Sequence, residues 1–554
     1  MRVRETVCML GLLFCSAADV AADVAADVPA DVSATLGGVV YDDRDGDGRR
    51  DRGEPGIAGV LVSNGRALAE TDAAGRYRIA VAPGQTVFVI KPAGWRLAQN
   101  DPARPGAWRH VPALAPPSVK YGGIVPAPMP TTFDIGLRRA PPGDGWLEVR
   151  VFADPQVKSQ TDVGYYARDI VDSVLAERAS TNSAPRRAPE LGLSLGDIVD
   201  DELSLYPALN AETRRIGVPW LHVAGNHDLD FEVARDEDSL LTFRNTFGPD
   251  TFAWEEDEAV FVGLDDVIYM PAHSRPAGSP EYIGGLREDQ FAFLEAYLPR
   301  VPKQRLLILA MHIPLFEQEG RDTFRDADRA RLFALLRDFP SVLILSGHSH
   351  TQQHWMHDAR TGWQGAAPLH EYNVGAACGA FWTGVKDASG IPDATMSDGT
   401  PNGYASLGIG RDGRYVLAWH AARDPQDAQI GLHAPKVLRR GAYPAYGVYA
   451  NVYMGRADTR VEFRIDDGEW KPMRRVVAPD PRVVRENMLD ADAETLRGYD
   501  RSPEATFSPH LWRGALPTGL APGAHRIEVR AFDVWRGELR ARGEYRLQDW
   551  EASP

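Results

Sequence analysis

The sequence predicts a central α/β domain with a β-sandwich domain on each side. Three observations predict it. Between about Trp146 and Ala422, apolar strand-like runs alternate with helical segments. Before and after that stretch, short β-type runs are divided by Gly, Asp and Pro. The 554 residues also exceed what one hydrophobic core supports, and three domains fit best. With 44% hydrophobic and 25% charged residues, a largely disordered or membrane-embedded chain is excluded.

The elements follow in order. Residues 1–18 carry Arg2 and Arg4, an apolar stretch from Val7 to Phe14 and small residues from Ser16 to Ala18, which is the pattern of a signal peptide. The apolar stretch is too short to span a bilayer, so no membrane span is expected. Phe14 stands where a bacterial lipobox would want a small residue before Cys15, which argues against lipid anchoring there. The repeat AADVAADVAADVPADV makes residues 19–34 a spacer. The expected location is periplasmic or extracellular. With Cys8 and Cys15 in the signal, Cys378 is left alone, so no intramolecular disulfide is expected and an oxidising compartment is permitted but not required.

Residues 35–139 carry GGVVY, GVLVSNG, GRYRIAV, TVFVIKP and TTFDIGL, the runs of a small β-sandwich. Within them, DRDGDGRRDRGE places Asp43, Asp45, Asp47, Asp51 and Glu54 at positions one, three, five, nine and twelve of a calcium loop, with Gly48 at the sharp turn. Its flanks are β-type, so the expected ion is structural, one that stiffens a strand connection without a helical switch groove. The segment GVVYDDRDGDGRRDRGEPGIAGVLVSNG followed by TDAAGRYRI resembles the prealbumin-like or B-type repeat modules of bacterial surface and secreted proteins. APPGDG, from Ala140 to Gly145, marks the boundary with the central domain, residues 146–422. Residues 430–554 contain VYANVYM, TRVEFRIDDGEW and HRIEVRAFDVW, which read as a second β-sandwich of immunoglobulin-like type.

In the central domain five apolar runs end directly in metal-capable residues: LEVRVFADPQ, LGLSLGDIVDD, PWLHVAGNHD, RLLILAMHIP and SVLILSGHSH. The carboxyl ends of strands in an open α/β sheet line a common crevice, so residues far apart in sequence can converge there. The candidates are Asp154, Gln156, Asp197, Asn226, His227, His312, His348 and His350.

This ordered pattern resembles that of the calcineurin-like metallophosphoesterase superfamily, which runs DxH, GD, GNH(E/D), a later His and GHxH. The resemblance covers roughly Trp146 to Ala422 and implies a four-layer fold, two packed β-sheets flanked by helices. It implies that Asp154 and His350 hold one metal ion and that Asp197 bridges to a second, whose site Asn226, His312 and His348 complete. His227 would stay off the metals as a general acid or charge stabiliser, with Asp228 either orienting its ring or capping a helix. The implied activity is hydrolysis of a phosphomonoester or phosphodiester, in which paired cations neutralise the ester and lower the pKa of a bridging water.

Gln156 departs from the family's histidine. An amide oxygen is a weaker, uncharged ligand than imidazole, which moves the expected metal preference toward manganese, magnesium or iron and away from zinc. Asp200 and Asp201 read as solvated loop carboxylates. After the GHSH strand, the glycine-rich and aromatic stretches NVGAACGAFWTG and SDGTPNGY offer Trp382, Asn402 and Tyr404 as substrate contacts, with core packing as the plainer reading. Phe243 and Phe247 read as core.

The chain has 61 Lys and Arg against 77 Asp and Glu, a formal net charge of -16, with no basic run. Such a chain repels a polyanion, so nucleic acid is disfavoured as a partner while a small phosphorylated substrate held by metal ions is not. The competing reading is a non-catalytic surface or glycan-binding protein with a degraded enzyme scaffold. Retention of Asp197, Asn226, His227 and the three later histidines argues against it.

Overall fold

The computed structural model describes residues 34–98, 106–113, 115–179, 187–272, 281–316, 323–425, 427–444 and 446–550. The expected signal peptide, Cys15 and the spacer up to residue 33 lie outside the described residues.

Two sheets pack together in the centre of the chain. The first is five-stranded, in the order Trp220–Val223, Leu191–Leu195, Trp146–Phe152, Gly403–Gly410, Tyr415–Ala421. Its first three strands are mutually parallel, Gly403–Gly410 pairs antiparallel with Trp146–Phe152, and Tyr415–Ala421 pairs antiparallel with Gly403–Gly410. The second is six-stranded, in the order Phe252–Glu255, Ala259–Gly263, Leu306–Ala310, Val342–Ser346, Leu369–Asn373, Gln353–His357, and its four middle strands are parallel. Every residue of Leu191–Leu195, Trp220–Val223 and Leu306–Ala310 is buried. A strand covered on both faces reads as a continuous apolar run, which is why these segments lack alternation.

Register positions the site. Ser194 pairs with Phe152 and Leu195 with Val223, so three strands of the first sheet end level with one another. In the second sheet Ala310 pairs with Leu345, and Ser346 with Asn373. The metal-capable residues that follow these ends therefore share one edge of the sandwich. Helices including Gln160–Tyr166, Tyr206–Thr213, Leu241–Phe247, Glu288–Tyr297 and Asp326–Leu336 connect the strands. The first of them starts where the Ser159 side chain accepts from the Asp162 amide at 3.2 Å, satisfying an otherwise unpaired donor.

The N-terminal residues form two four-stranded sheets. One is ordered Arg76–Val81, Ala34–Asp42, Ile135–Arg139, Trp95–Leu97, and the other Leu68–Glu70, Leu61–Ser63, Thr86–Val89, Trp108–His110. Their core is continuous with that of the central sheets. Phe88 meets Phe293 at 6.1 Å between ring centroids, and the buried Lys91 ammonium lies 2.7 Å from Glu256 and 5.0 Å from the Trp254 ring centre.

The C-terminal residues form a four-stranded and a five-stranded sheet around a separate apolar core that includes Val448, Phe463, Trp512, Val529 and Tyr545. A helix, Pro481–Ala491, interrupts this β-rich region, which the sequence reading did not anticipate. Asp480 caps it through the Arg482 amide at 2.7 Å and Pro481 pre-sets its first turn. It buries only Val483 and Asp490, while Val484, Met488 and Leu489 stay exposed.

Lys91→Ala should destabilise the chain by about 2 kcal/mol, below the usual range for breaking a buried ion pair because Glu256 is partly exposed. Urea titration of wild type and variant measures this, and an unchanged midpoint would show that the domain junction does not depend on the pair.

Candidate metal centre

Each candidate ligand follows a strand end at which the backbone turns sharply. Asp154, Gln156, Asp197, His348 and His350 all have positive φ, between 38° and 71°. Non-glycine residues rarely adopt this left-handed region, and five instances in one crevice mark a backbone held there by its surroundings. The glycines before the ligands are required by close approach. A Cβ on Gly196, itself at φ 86°, would lie 2.5 Å from His312 Nδ1, and one on Gly225 would lie 2.3 Å from Asp197 Oδ1.

His312 is the centre of the arrangement. Its ring is buried, and Nδ1 donates to the Leu195 carbonyl at 2.8 Å, which leaves a lone pair on Nε2. That lone pair faces Asn226 Oδ1 at 3.0 Å, Asp197 Oδ2 at 3.3 Å and His348 Nδ1 at 3.2 Å. Ligand atoms of Asp197, His312 and His348 lie within 4.8 Å of one another. Acceptors gathered this closely are stable only around a proton or a metal ion, so the donor set fits a cation.

On the other side, His350 Nδ1 donates to the Gly379 carbonyl at 2.7 Å, which turns Nε2 toward Asp154 Oδ1 at 3.6 Å. Both Asp154 oxygens accept from the His348 amide at 3.1 Å. Gln156 donates its backbone amide to the Asp197 carbonyl at 2.9 Å and Nε2 to Asp200 Oδ1 at 3.1 Å, so Oε1, which accepts only from the Cys378 thiol at 3.9 Å among the described residues, is its atom suited to a cation.

The electrostatics agree with the geometry. Burial, with the Asp197 charge beside it, pushes the Asp154 carboxyl up to about 8. Burial also raises Asp197, but the His312 and His227 charges outweigh it and hold that carboxyl well below the usual range. Burial disfavours charge on His312, yet Asp197 carries its pKa up to about 10. Burial brings His348 down to about 3, helped by the His312 charge, and His350 to about 4.

His227 stands apart from this cluster. Its amide donates to Asp197 Oδ1 at 2.8 Å, while its Nδ1 lies 2.8 Å from Asp201 Oδ1 and 3.3 Å from Asp200 Oδ1. Burial lowers its pKa, but Asp197 and Asp201 raise it to about 9. Asp200 and Asp201, read from sequence as solvated carboxylates, therefore belong to the site, and the signal for them was their place two and three residues after the GDI run.

Asp228 does not orient the His227 ring. It is fully buried, accepts from the Gly225 amide at 2.8 Å, the Ile198 amide at 3.2 Å and the Tyr206 hydroxyl at 2.9 Å, and so ties the GD turn to the GNHD turn. Burial and the Asp197 charge push it up to about 7. Asp266, missed by the sequence reading, accepts from the His312 amide at 2.9 Å and the Ile313 amide at 3.0 Å and fixes that turn in the same way.

The three residues expected to touch substrate do not line the crevice. Trp382 is buried and donates Nε1 to the Pro155 carbonyl at 3.0 Å, holding the first ligand turn from behind. Asn402 is spent on Asp169 Oδ2 at 2.8 Å, the Ala377 carbonyl at 3.2 Å and Arg423 at 3.0 Å. Tyr404 is buried between Phe152, at 5.7 Å, and His420, at 5.0 Å. All three pack the scaffold. Phe243 and Phe247 are likewise buried, 4.9 Å apart.

In the N-terminal loop, one oxygen each of Asp43, Asp45 and Glu54, and of Asp45, Asp47 and Asp51, come within 4.8 Å of one another. Asp43 accepts from the Gly46 and Gly48 amides at 2.7 and 2.8 Å, and Glu54 from the Arg44 and Asp51 amides at 2.8 and 2.9 Å.

Two packed sheets with an acceptor-lined crevice at their carboxyl edge define a metal-dependent phosphoesterase. Family models describe the N-terminal, catalytic and C-terminal parts of calcineurin-like phosphoesterases, and they match residues 44–118, 160–352 and 371–538 in turn. The chain belongs to the calcineurin-like phosphoesterase family. It is similar to the probable glycerophosphodiester phosphodiesterase GpdQ of Arcobacter nitrofigilis, 26% identical over 202 residues, 36% of this chain and 70% of that protein. Among solved structures it is similar to the purple acid phosphatase PPD1 from yellow lupin (Lupinus luteus) seeds, with a TM-score of 0.36 and 12% identity over 68% of this chain and 66% of that one. PhoD aligns with a TM-score of 0.34 and 12% identity over 64% of this chain and 77% of its own. Among the described residues no helix is long and apolar enough to cross a membrane.

Gly225→Ala should displace Asp197, lowering bound metal and reducing activity by roughly two orders of magnitude while the fold persists. Elemental analysis beside circular dichroism checks it, and full metal content in a folded variant would contradict the close-approach argument.

Proposed function

We propose that the chain hydrolyses a phosphomonoester or phosphodiester at a two-metal centre outside the cytoplasm. The observation that carries this reading is the convergence of Asp197, His312 and His348 on one point, with Asn226 in the same crevice. In this assignment Asp154, Gln156 and His350 hold one ion, Asn226, His312 and His348 hold the other, and Asp197 serves both. When bound, the metals supply Lewis acidity that neutralises the ester's charge and acidifies water. Manganese, iron, zinc and magnesium all suit a mixed imidazole, carboxylate and amide donor set.

The remaining work falls to the chain's own groups. Asp201 holds His227 Nδ1 and so leaves Nε2 to hydrogen-bond a phosphate oxygen or to hand a proton to the departing alcohol. Burial of the ligands excludes bulk water and strengthens each charge interaction in the crevice. A small substrate is favoured over nucleic acid by the net charge of -16. The name of the Arcobacter nitrofigilis relative favours a diester. Location outside the cytoplasm rests on the charged, apolar and small-residue pattern of residues 1–18.

His227→Ala should keep both metals and lose two or more orders of magnitude in kcat, whereas Asp197→Ala should lose metal as well. Metal analysis and turnover of mono- and diester panels test the pair; a fully active first variant or a normally loaded second one would overturn the assignment.

The reading extends to a calcium ion that stiffens the loop from Asp43 to Glu54, supported by the spacing of its five carboxylates. Calorimetry of the full chain, preloaded with manganese, should show calcium binding that Asp45→Ala abolishes. No heat at millimolar calcium would end the claim.

A further inference from the structure

We propose that Phe381 is a specificity-determining residue of this site, and that the ester cleaved there carries an aromatic or planar apolar alcohol. The inference rests on the phosphoesterase reading above and narrows its substrate class.

Phe381 stacks on His350 with ring centroids 4.3 Å apart and planes inclined by 28°. An imidazole binds a metal ion in its ring plane, so a ring stacked on it runs alongside the metal position. Phe381 is nonetheless 39% exposed, while its neighbours Ala380 and Trp382 are buried. One exposed aromatic ring is ordinary on a protein surface. This one also has φ 57°, in the left-handed region that a bulky side chain adopts only at a conformational penalty. Neither exposure nor strain helps folding, so the placement calls for another explanation.

The segment is fixed on every side. The Ala377 and Cys378 amides donate to the Ala153 and Asp154 carbonyls at 2.7 and 3.0 Å. The Trp382 amide donates to the Cys378 carbonyl at 3.0 Å, and its indole reaches the Pro155 carbonyl at 3.0 Å. The Gly379 carbonyl receives His350 Nδ1. These bonds force residues 381 and 382 into consecutive left-handed conformations and send the two aromatic rings apart, Trp382 into the core and Phe381 to the rim. Tyr282 stands edge-on to His348 at 6.0 Å. Two imidazoles of the site thus each have an aromatic ring against them, and a planar alcohol beside Phe381 would gain stacking contact that a small alkyl group cannot.

The test compares phenyl with methyl phosphate, and diphenyl with dimethyl phosphate, on the manganese-loaded full chain and its Phe381→Ala and Phe381→Leu variants. Phe381→Ala should lower kcat/KM for the phenyl esters roughly tenfold, chiefly through KM, and change the methyl esters by less than about twofold. Phe381→Leu, which keeps an apolar cap on His350 without a ring, should fall between, and elemental analysis should find metal content unchanged in both. Equal losses on both ester types would make Phe381 a prop for His350 alone, and no loss would remove it from the site; either overturns the proposal. A wild-type chain that cleaves none of these esters would instead sink the parent reading of the site.

Discussion

His312 Nε2 faces an amide oxygen, a carboxylate oxygen and a second imidazole nitrogen within 3.3 Å, and its own ring proton is committed to a backbone carbonyl. Among the described residues, no Lys or Arg side chain is paired with Asp154 or Asp197. A buried set of lone pairs with so little positive charge of its own is unstable unless a cation is shared among them. Neighbouring carboxyls are shifted in opposite directions: burial and the Asp197 charge raise Asp154, while interaction with His312 and His227 holds Asp197 below the usual range. Carboxylate and imidazole ligands bind a metal only when deprotonated, so loading of this centre depends on pH.

Such a set does not assemble for free. Five ligand residues sit in the left-handed region, each at an energetic disadvantage that the surrounding packing must offset. The offset comes from strands buried on both faces and from carbonyls and amides that cross between turns: Gln156 to Asp197, Cys378 to Asp154, Gly347 to His312. Asp228 and Asp266 do the same with side chains, each binding two backbone amides of turns that carry ligands. Fully buried carboxylates used this way cannot be replaced by apolar residues without leaving amides unpaired. The ligand turns are therefore rigid before any ion arrives, as pre-organisation of a catalytic site requires.

How much of this was legible in the sequence follows from which physical signals are local. The α/β centre was readable because doubly covered strands leave continuous apolar runs, and the ligand candidates because each run ends abruptly in Asp, Asn or His. What lay beyond reach was long-range partnership. Asp201 looks like any loop carboxylate until the fold brings it to His227, 26 residues away. Asp228 sits beside His227 in sequence yet points to Ile198 and Tyr206. Trp382, Asn402 and Tyr404 lie in stretches whose glycine and aromatic content suits a binding loop, but their polar atoms or rings are taken up inside the scaffold. Phe381, one residue earlier, is the exposed member of that stretch, and the two residues share a left-handed φ but differ in burial, which only the fold reveals.

The same stretch shows why the C-terminal sheets matter to a site they do not enter. Residues 383–400 continue from Phe381 and Trp382, and the C-terminal region holds them at several points. The Gly384 amide donates to the Asp500 carbonyl at 2.8 Å, Arg482 pairs with Asp393 at 2.9 Å, and Asn451 Nδ2 donates to the Asp398 carbonyl at 2.8 Å. Asp398 is the junction: its Oδ2 receives His510 at 3.1 Å and the Gln352 amide at 2.8 Å, two residues beyond the ligand His350. Burial disfavours the charged form of Asp398, but the His510 partner keeps its carboxyl below the usual range, and the contact lies where water cannot screen it. One end of the metal-binding turn is thereby anchored in the C-terminal domain and the other in the catalytic sheet. Loosening the first anchor would release His350 and Phe381 together, which makes the C-terminal domain part of the site's mechanical support.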